Sequence, residues 1–257
     1  MEFPFYKYQA TGNDFVIVDN RDGAYSFTED QIKKICDRKF GIGADGLMLI
    51  EKHPSLDFNL IYYNADGSQS LCGNGSRAAV MMASALKMIN GKTKFNAYDG
   101  LHEAELLANG NIRLRMNDVT EIKKIDNDYF LNTGSPHYIK WVTDLKNYPV
   151  FDEGRKIRYS DSFKPGGTNV NFVEQLGPNS IFVRTYERGV ENETLSCGTG
   201  VTAAALASVL KENSSPVSVK TLGGQLSVEF KSRQDGSFTE IFLVGPAKKV
   251  FKGALEL

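Results

Sequence analysis

One short pattern occurs twice in this chain, and the repeat limits what the chain can fold into. Residues 186–208 read YERGVENETLSCGTGVTAAALAS. A strand-like run, 181–186, enters a polar loop that closes on Cys197-Gly198-Thr199-Gly200 and opens an alanine-rich helix. Earlier, the strand-like run 58–63 leads into NADGSQSL, then Cys72-Gly73-Asn74-Gly75, then SRAAVMMASALK. Aligned on the cysteines, Cys, Gly, Gly, Ala and Ala stand at 72, 73, 75, 78 and 79 and again at 197, 198, 200, 203 and 204. A strand, a loop, a cysteine and a helix therefore recur once per half. Both helices carry small or apolar residues on nearly every face, the mark of a helix buried all round.

The rest of the chain reads as short strands. In the first half they fall at 3–8, 15–19, 47–51, 93–98, 102–107 and 111–116; in the second at 129–133, 137–141, 169–174, 217–220, 225–230 and 239–244. Asn109-Gly110 and Asp235-Gly236 are hairpin turns. Thr28 is placed to cap a helix that begins with two acids, and 147–156 reads as a short surface helix. Many short strands with few helices give an α+β class. The expected architecture is two pseudo-symmetric domains, each a curved, mostly antiparallel, barrel-like sheet around one central helix. The first spans 1–118 and is completed by a C-terminal strand at 248–257; the second spans 119–247. The boundary is set in the polar run NDVTEIKK, where strand signals lapse.

Composition removes several function classes. Lys and Arg number 30 against 31 Asp and Glu, and no basic run occurs, so no nucleic-acid partner is expected. No apolar stretch approaches about 20 residues, so no membrane span is expected. The start, MEFPFYKYQATGND, lacks a basic flank followed by an apolar block, so no secretory signal is read. Three cysteines, an odd number, fit thiols in a cytoplasmic protein. Cys36 sits at helical spacing with Ile32 and Ile35 and is assigned to core packing. The Gly-rich loop FGIGADG lacks the Lys-Ser/Thr of a phosphate-binding loop. No CxxC or HExxH occurs and the histidines are only His53, His102 and His137, so no metal is expected. No GxSxG elbow is present for a serine nucleophile.

The start of a helix carries unpaired N–H groups and partial positive charge. That environment favours a thiolate and lowers a cysteine's pKa from about 8.5, and the same N–H groups can hold a carboxylate. Glycines at 73, 75, 198 and 200 let backbone approach a ligand. Two such sites suit a substrate carboxylate held between helix starts, with Cys72 on one side of the α-carbon and Cys197 on the other. One thiolate removes the α-proton and the opposite thiol returns a proton to the other face, inverting the centre. Glu187 and Arg188, beside the Cys197 loop, are read either as a surface ion pair or as substrate contacts.

At these residues the sequence resembles the diaminopimelate epimerase family. The matching motifs run through most of the chain: TGNDFVIVD, FGIGADG, YNADGS followed by CGNG, SPH at 135–137, GTNVNFV at 167–173, YERGVENETLSCGTG, and GPA near the end. The resemblance implies a cofactor-independent epimerase, needing no pyridoxal phosphate, that interconverts LL- and meso-diaminopimelate in lysine and peptidoglycan-precursor synthesis. It implies a cytoplasmic homodimer and a small-molecule substrate. Position by position, it implies that Cys72 and Cys197 are the acid/base pair. Gly73, Asn74, Gly198 and Thr199 would hold the carboxylate at the reacting centre. Asn13, Asn64, Asn169 and Arg188 would be substrate contacts, Arg188 pairing with the distal carboxylate. His137 and Glu187 would assist proton transfer, Glu187 also meeting substrate. Gly46 stands where some members have Gln, and Ser135 where many have Asn, which bears on specificity. The 187–197 loop is one residue longer than in some members.

Other readings of the residues stay open. A proline-racemase-like isomerase is opposed by Arg188, since proline offers no second carboxylate. A redox protein could oxidise Cys72 and Cys197 to a disulfide. A non-catalytic module could bind a diacid without exchanging a proton.

Overall fold

Alternation of apolar and polar residues builds the strands, and the two helices apolar on all sides decide what the strands enclose. The computed structural model describes residues 2–70 and 72–257; Leu71, read above as part of the loop ahead of Cys72, lies outside the described residues. Contacts divide the chain into two units, one reaching to Leu114 and including Gly245–Leu257, the other Arg115–Val244. These divisions fall a few residues before 118 and 247.

The first unit contains β1 (Glu2–Ala10), β2 (Asn13–Asp19), α1 (Glu29–Cys36), β3 (Gly46–Glu51), β4 (Phe58–Asn64), α2 (Gly73–Ala85), β5 (Lys92–Ala97), β6 (Gly100–Leu106) and β7 (Ile112–Arg115). The chain's last strand, Lys248–Glu256, pairs antiparallel with β1. The second unit contains β8 (Lys123–Ile125), β9 (Asp128–Asn132), β10 (Pro136–Trp141), α3 (Val150–Arg158), β11 (Asn169–Gly177), β12 (Ser180–Glu187), β13 (Asn192–Thr194), α4 (Gly198–Ala207), β14 (Val217–Thr221), β15 (Gly224–Ser232) and β16 (Phe238–Gly245).

The ladder order is the same in both units. From β1 to β7 the successive pairings are antiparallel, parallel, antiparallel, parallel, antiparallel and antiparallel. From β9 through β10, β11, β12, β14 and β15 to β16 the sequence of pairings is identical. A parallel pair needs a crossover, and the helices supply it at matching places: α1 and α3 at the first parallel pair, α2 and α4 at the second. The last strand beside β1 corresponds to β8 beside β9.

Each central helix is ringed by its sheet. α2 packs against β1, β2, β3, β4, β6 and the last strand, and α4 against β9, β10, β11, β12, β14 and β15. Every residue of α4 except Thr199 is buried. Complete burial of Val201 and Leu206 contributes about 1.5–3 kcal/mol each. Outside the rings, Ile32, Ile35 and Cys36 of α1 join Val16, Val18, Leu47 and Leu49 in one core cluster. Burial pushes the Cys36 thiol up to about 11.

Several elements differ from the sequence expectation. The run NDVTEIKK ends inside a strand, β8, and the polar loop before Cys197 folds back as β13 on β12. The helix expected at 147–156 is a 3-10 turn at Leu145–Asn147 followed by α3. Pro149 separates them, because its ring disfavours helical backbone at the residue before it.

Close approach at the helix starts rests on glycine, and the two units use it differently. A Cβ on Gly200 would lie 2.3 Å from Asn171 Oδ1, an atom fixed by its own hydrogen bond from Thr185. A Cβ on Gly75 would meet the Met48 methyl at 2.3 Å, the free end of a flexible side chain. Gly200→Ala is therefore expected to cost about 1–3 kcal/mol by overpacking, and Gly75→Ala less. Thermal unfolding of the two variants checks this, and an equal or reversed loss of Tm would refute it.

Candidate active site

In the first unit, α2 begins at Cys72, whose extended backbone (φ −130°, ψ 110°) makes it the N-cap. Its Sγ accepts the Gly75 N–H at 3.4 Å, one of the helix's first unpaired donors. The Cys72 thiol also donates to Asn13 Oδ1 at 3.5 Å. The orientation of Asn13 follows from its other end. Its Nδ2 donates to the Asp45 carboxylate, which leaves Oδ1 facing Cys72 and the Asn74 amide, 3.3 Å away. Arg38 holds Asp45 and Asp14 together at 2.7 Å each. Burial alone would raise the Asp14 carboxyl, but hydrogen bonds from Arg38 and Lys7 outweigh it and hold it down to about 2.

Beneath this turn lies Arg77, fully buried in α2. Its guanidinium donates to Asn74 Oδ1 at 3.0 Å and Thr11 Oγ1 at 3.1 Å and meets no carboxylate among the described residues. Burial pulls it down to about 10, with Cys72 favouring its charged form, so it stays a cation at neutral pH. A buried cation beneath the helix start reinforces the macrodipole's preference for a thiolate. Gly73 adjoins open space. Asn64 is engaged within its own loop, donating to Ser68 Oγ at 2.9 Å and accepting from Ser70 at 3.1 Å. A Cβ at Gly46 would fall 2.4 Å from the Tyr62 ring, so that ring takes the space a longer residue would need. Met48, Leu60, Tyr62 and Ala97 line a small hollow beside Cys72.

In the second unit, Cys197 caps α4 with similar backbone (φ −110°, ψ 114°) and is buried. Its Sγ lies 3.4 Å from Thr199 Oγ1. Thr199 Oγ1 is 2.9 Å from His137 Nε2 and 3.2 Å from Ser135 Oγ, and Ser135 Oγ is itself 2.9 Å from His137 Nε2. Burial, then the nearby Arg188 guanidinium, pull His137 down to about 3. Gly198 is the first residue of α4 and is buried.

Asn169 is oriented by what it bonds: its Nδ2 donates to the Pro136 carbonyl at 2.9 Å, and its Oδ1 accepts the Arg188 N–H at 2.9 Å. The Arg188 guanidinium reaches the Gly166 carbonyl at 3.3 Å and pairs with no carboxylate among the described residues. Glu187 accepts from Thr194 Oγ1 at 2.7 Å, a contact created by β13 folding onto β12. The sequence-predicted residues thus gather in two sets: Asn13, Gly73 and Asn74 with Cys72, and His137, Asn169, Gly198 and Thr199 with Cys197, Arg188 and Glu187 adjoining.

Two network residues were not singled out from the sequence. Asn171 stands two residues after Asn169 in the apolar strand β11, and a repeat of two puts both on one face. Arg77 is the one charge in an otherwise apolar helix run, a departure that marks a buried cation. Among the described residues, no group of three or more His, Cys, Asp and Glu side chains is placed to hold a metal ion, and no helix is long and apolar enough to cross a membrane.

Comparison with known proteins bears on this arrangement. The profile of the family described as diaminopimelate epimerase matches residues 5–122 and 129–250. The diaminopimelate epimerase of Flavobacterium psychrophilum is 51% identical over 96% of this chain and 98% of its own. That of Chlorobaculum tepidum is 42% identical over 96% of this chain and 98% of its own. Among solved structures, a PhzF-family phenazine biosynthesis protein of Bacillus anthracis superposes with a TM-score of 0.77 at 14% identity, covering 100% of both chains. A hydroxyproline epimerase of Agrobacterium vitis gives 0.67 at 14% identity over 100% of this chain and 93% of that one. At such identity the structural matches speak for a shared fold. The sequence matches extend along almost the full length, through both cysteine-capped helices, and on them the chain belongs to the diaminopimelate epimerase family, a family of isomerases.

Proposed function

We propose that this protein interconverts LL- and meso-2,6-diaminopimelate with no prosthetic group, Cys72 and Cys197 acting as paired acid and base. The observation that carries the reading is the N-cap cysteine: each unit, taken alone, starts its buried helix with a cysteine followed by glycine. Family membership supplies the substrate. On this reading, one sulfur, as thiolate, takes the α-proton, and the electron pair left on carbon is delocalised into the adjacent carboxylate. The opposite thiol then gives its proton to the other face, and the two sulfurs exchange protonation states. N–H groups at the helix starts stabilise the charge that builds on the carboxylate. Asn74 and Thr199 flank that group, while Asn13, Asn64, Asn169 and Glu187 surround the substrate. Arg188, with no carboxylate of its own, takes the distal one. His137 and Glu187 support proton transfer from beside the thiols.

With LL-diaminopimelate, a thiol reductant, deuterated water and no added pyridoxal phosphate, the product is expected to carry one α-deuterium. An unlabelled product sinks the proposal. Cys72→Ala and Cys197→Ala are each expected to lower turnover at least about 100-fold, since each face of the carbon needs its own proton-transfer group. Unchanged circular dichroism would show the fold retained, and near-normal turnover of either variant would rule out a two-base mechanism. Arg188→Met should lower kcat/KM by about 10- to 100-fold, the size of hydrogen bonds to a charged group. An unaltered kcat/KM removes Arg188 from substrate recognition. A cytoplasmic homodimer completes the reading; sedimentation equilibrium at a single chain mass would contradict the dimer.

A further inference from the structure

Behind His137 lies a group of side chains that the reading above does not use. Asn171, in β11, is wholly buried, as is His137. Its Nδ2 lies 3.0 Å from His137 Nδ1 and 3.3 Å from the Tyr138 carbonyl oxygen. Its Oδ1 accepts from Thr185 Oγ1 at 2.9 Å. These neighbours fix which end of the amide is which. A carbonyl oxygen can only accept, so the atom facing Tyr138 must be the NH2 group. One of its two hydrogens serves that carbonyl and the other serves His137 Nδ1. Nδ1 therefore accepts, and it carries no proton.

The consequence runs outward to sulfur. Burial, with Arg188 as the charged neighbour, keeps the His137 ring neutral at physiological pH, so it holds one proton. With Nδ1 accepting, that proton sits on Nε2, which faces Thr199 Oγ1 and Ser135 Oγ at 2.9 Å each. Asn169 Nδ2 also donates to Ser135 Oγ, at 3.3 Å. Both hydroxyls thus receive hydrogen bonds on their lone pairs, and their own hydrogens must point elsewhere. Ser135 turns its hydrogen to Thr199 Oγ1 at 3.2 Å, and Thr199 turns its own to Cys197 Sγ at 3.4 Å. With the opposite tautomer, Nε2 would draw a hydroxyl hydrogen toward itself and away from the sulfur.

We propose that Asn171 is a positioning residue for the epimerisation: by donating to Nδ1 it holds the His137 proton on Nε2 and so directs the Thr199 hydroxyl to donate to Cys197. In this role His137 is a fixed donor relay that favours the Cys197 thiolate and does not itself collect the α-proton. The assignment deepens the two-thiol reading and rests on it for its catalytic meaning. Gly200 is part of the same device, since a Cβ there would meet Asn171 Oδ1 at 2.3 Å and His137 Cε1 at 3.3 Å.

The chain has three histidines, so 15N-histidine labelling gives a spectrum in which each ring can be followed. His53→Gln and His102→Gln, both outside the site, assign the third ring by elimination. In the unmutated protein at pH 7.5, His137 is expected to show an unprotonated Nδ1 and a protonated Nε2. A ring protonated at Nδ1, or at both nitrogens, overturns the proposal, and this measurement needs no variant of the site. In Asn171→Asp the carboxylate accepts instead of donating, so the proton should move to Nδ1 and leave Nε2 bare. In that variant the pH midpoint for iodoacetamide modification of Cys197, read peptide by peptide, should rise by about one to two pH units. Cys72 in the same sample is the reference. An unchanged ring or an unmoved Cys197 midpoint overturns the proposal, because a purely structural role would lower Tm without either effect. Lack of deuterium incorporation by the unmutated enzyme would sink the epimerase reading and leave the tautomer result standing.

Discussion

A helix start buried inside a sheet has N–H donors that no neighbouring turn can satisfy, and this constraint governs both halves of the molecule. The first turn of α4, with glycine at 198 and 200 and Thr199 between them, receives no side-chain cap for those donors among the described residues. Because glycine and alanine take so little room, the strands come close, and the side chains beneath the helix start are polar and hydrogen-bonded to one another, the Arg77 Nε being a buried donor left without a partner among the described residues. Asn171, His137 and Thr185 are those side chains in the second unit, and Asn13, Asn74 and Arg77 in the first. Polar chemistry beneath the cysteines is thus a structural requirement of the buried helix before it is a functional one.

The two units solve this differently on one frame. Their ladders match strand for strand, yet a cation, Arg77, lies under Cys72 while a neutral imidazole lies near Cys197. The matching comes from backbone pairing, which tolerates changes of side chain on the inner face. The divergence is local: buried polar atoms need hydrogen-bond partners, and different side chains supply them in the two units. Arg77 is held through Asn74 and Thr11, with its Nε left unpaired, and His137 through Asn171 and Thr199.

The repeat, the buried helices, the α+β class and the family were legible in the sequence because their signals are local. Cys-Gly before a run of small residues reports burial without knowledge of any partner. The short polar strands β8 and β13 were not legible, since Lys123–Ile125 and Asn192–Thr194 have no strand pattern of their own. They pair because β9 and β12 offer them open edges. Asn171 was missed for a related reason. It meets His137 through the parallel register of β10 and β11, which places His137 opposite Asn169 across a crossover of more than twenty-five residues. No local window contains that contact. Gly46 was read as bearing on specificity; the space a longer residue would need there is taken by the Tyr62 ring from the adjacent strand, which the sequence does not show.

The asymmetry of the halves bears on a requirement of the proposed chemistry. Diaminopimelate has two stereocentres, and an epimerase must invert one while the other stays put. Two equivalent acid/base groups cannot provide that distinction, because they treat the two faces of a carbon alike and carry no information about the far end of the molecule. On the proposed reading, a charged anchor on one side only holds the far end of the molecule by its carboxylate while the near carbon reacts. Arg188 lies nine residues before Cys197, and at the same offset before Cys72 stands Tyr63, so the repeat does not duplicate the guanidinium. Held by Asn169 through its backbone N–H and unpaired with any carboxylate among the described residues, Arg188 gives the second unit a cation that the first lacks at that place. On the proposed reading, duplication supplies the two proton-transfer groups, and departure from it at a single position supplies the group that holds the far carboxylate.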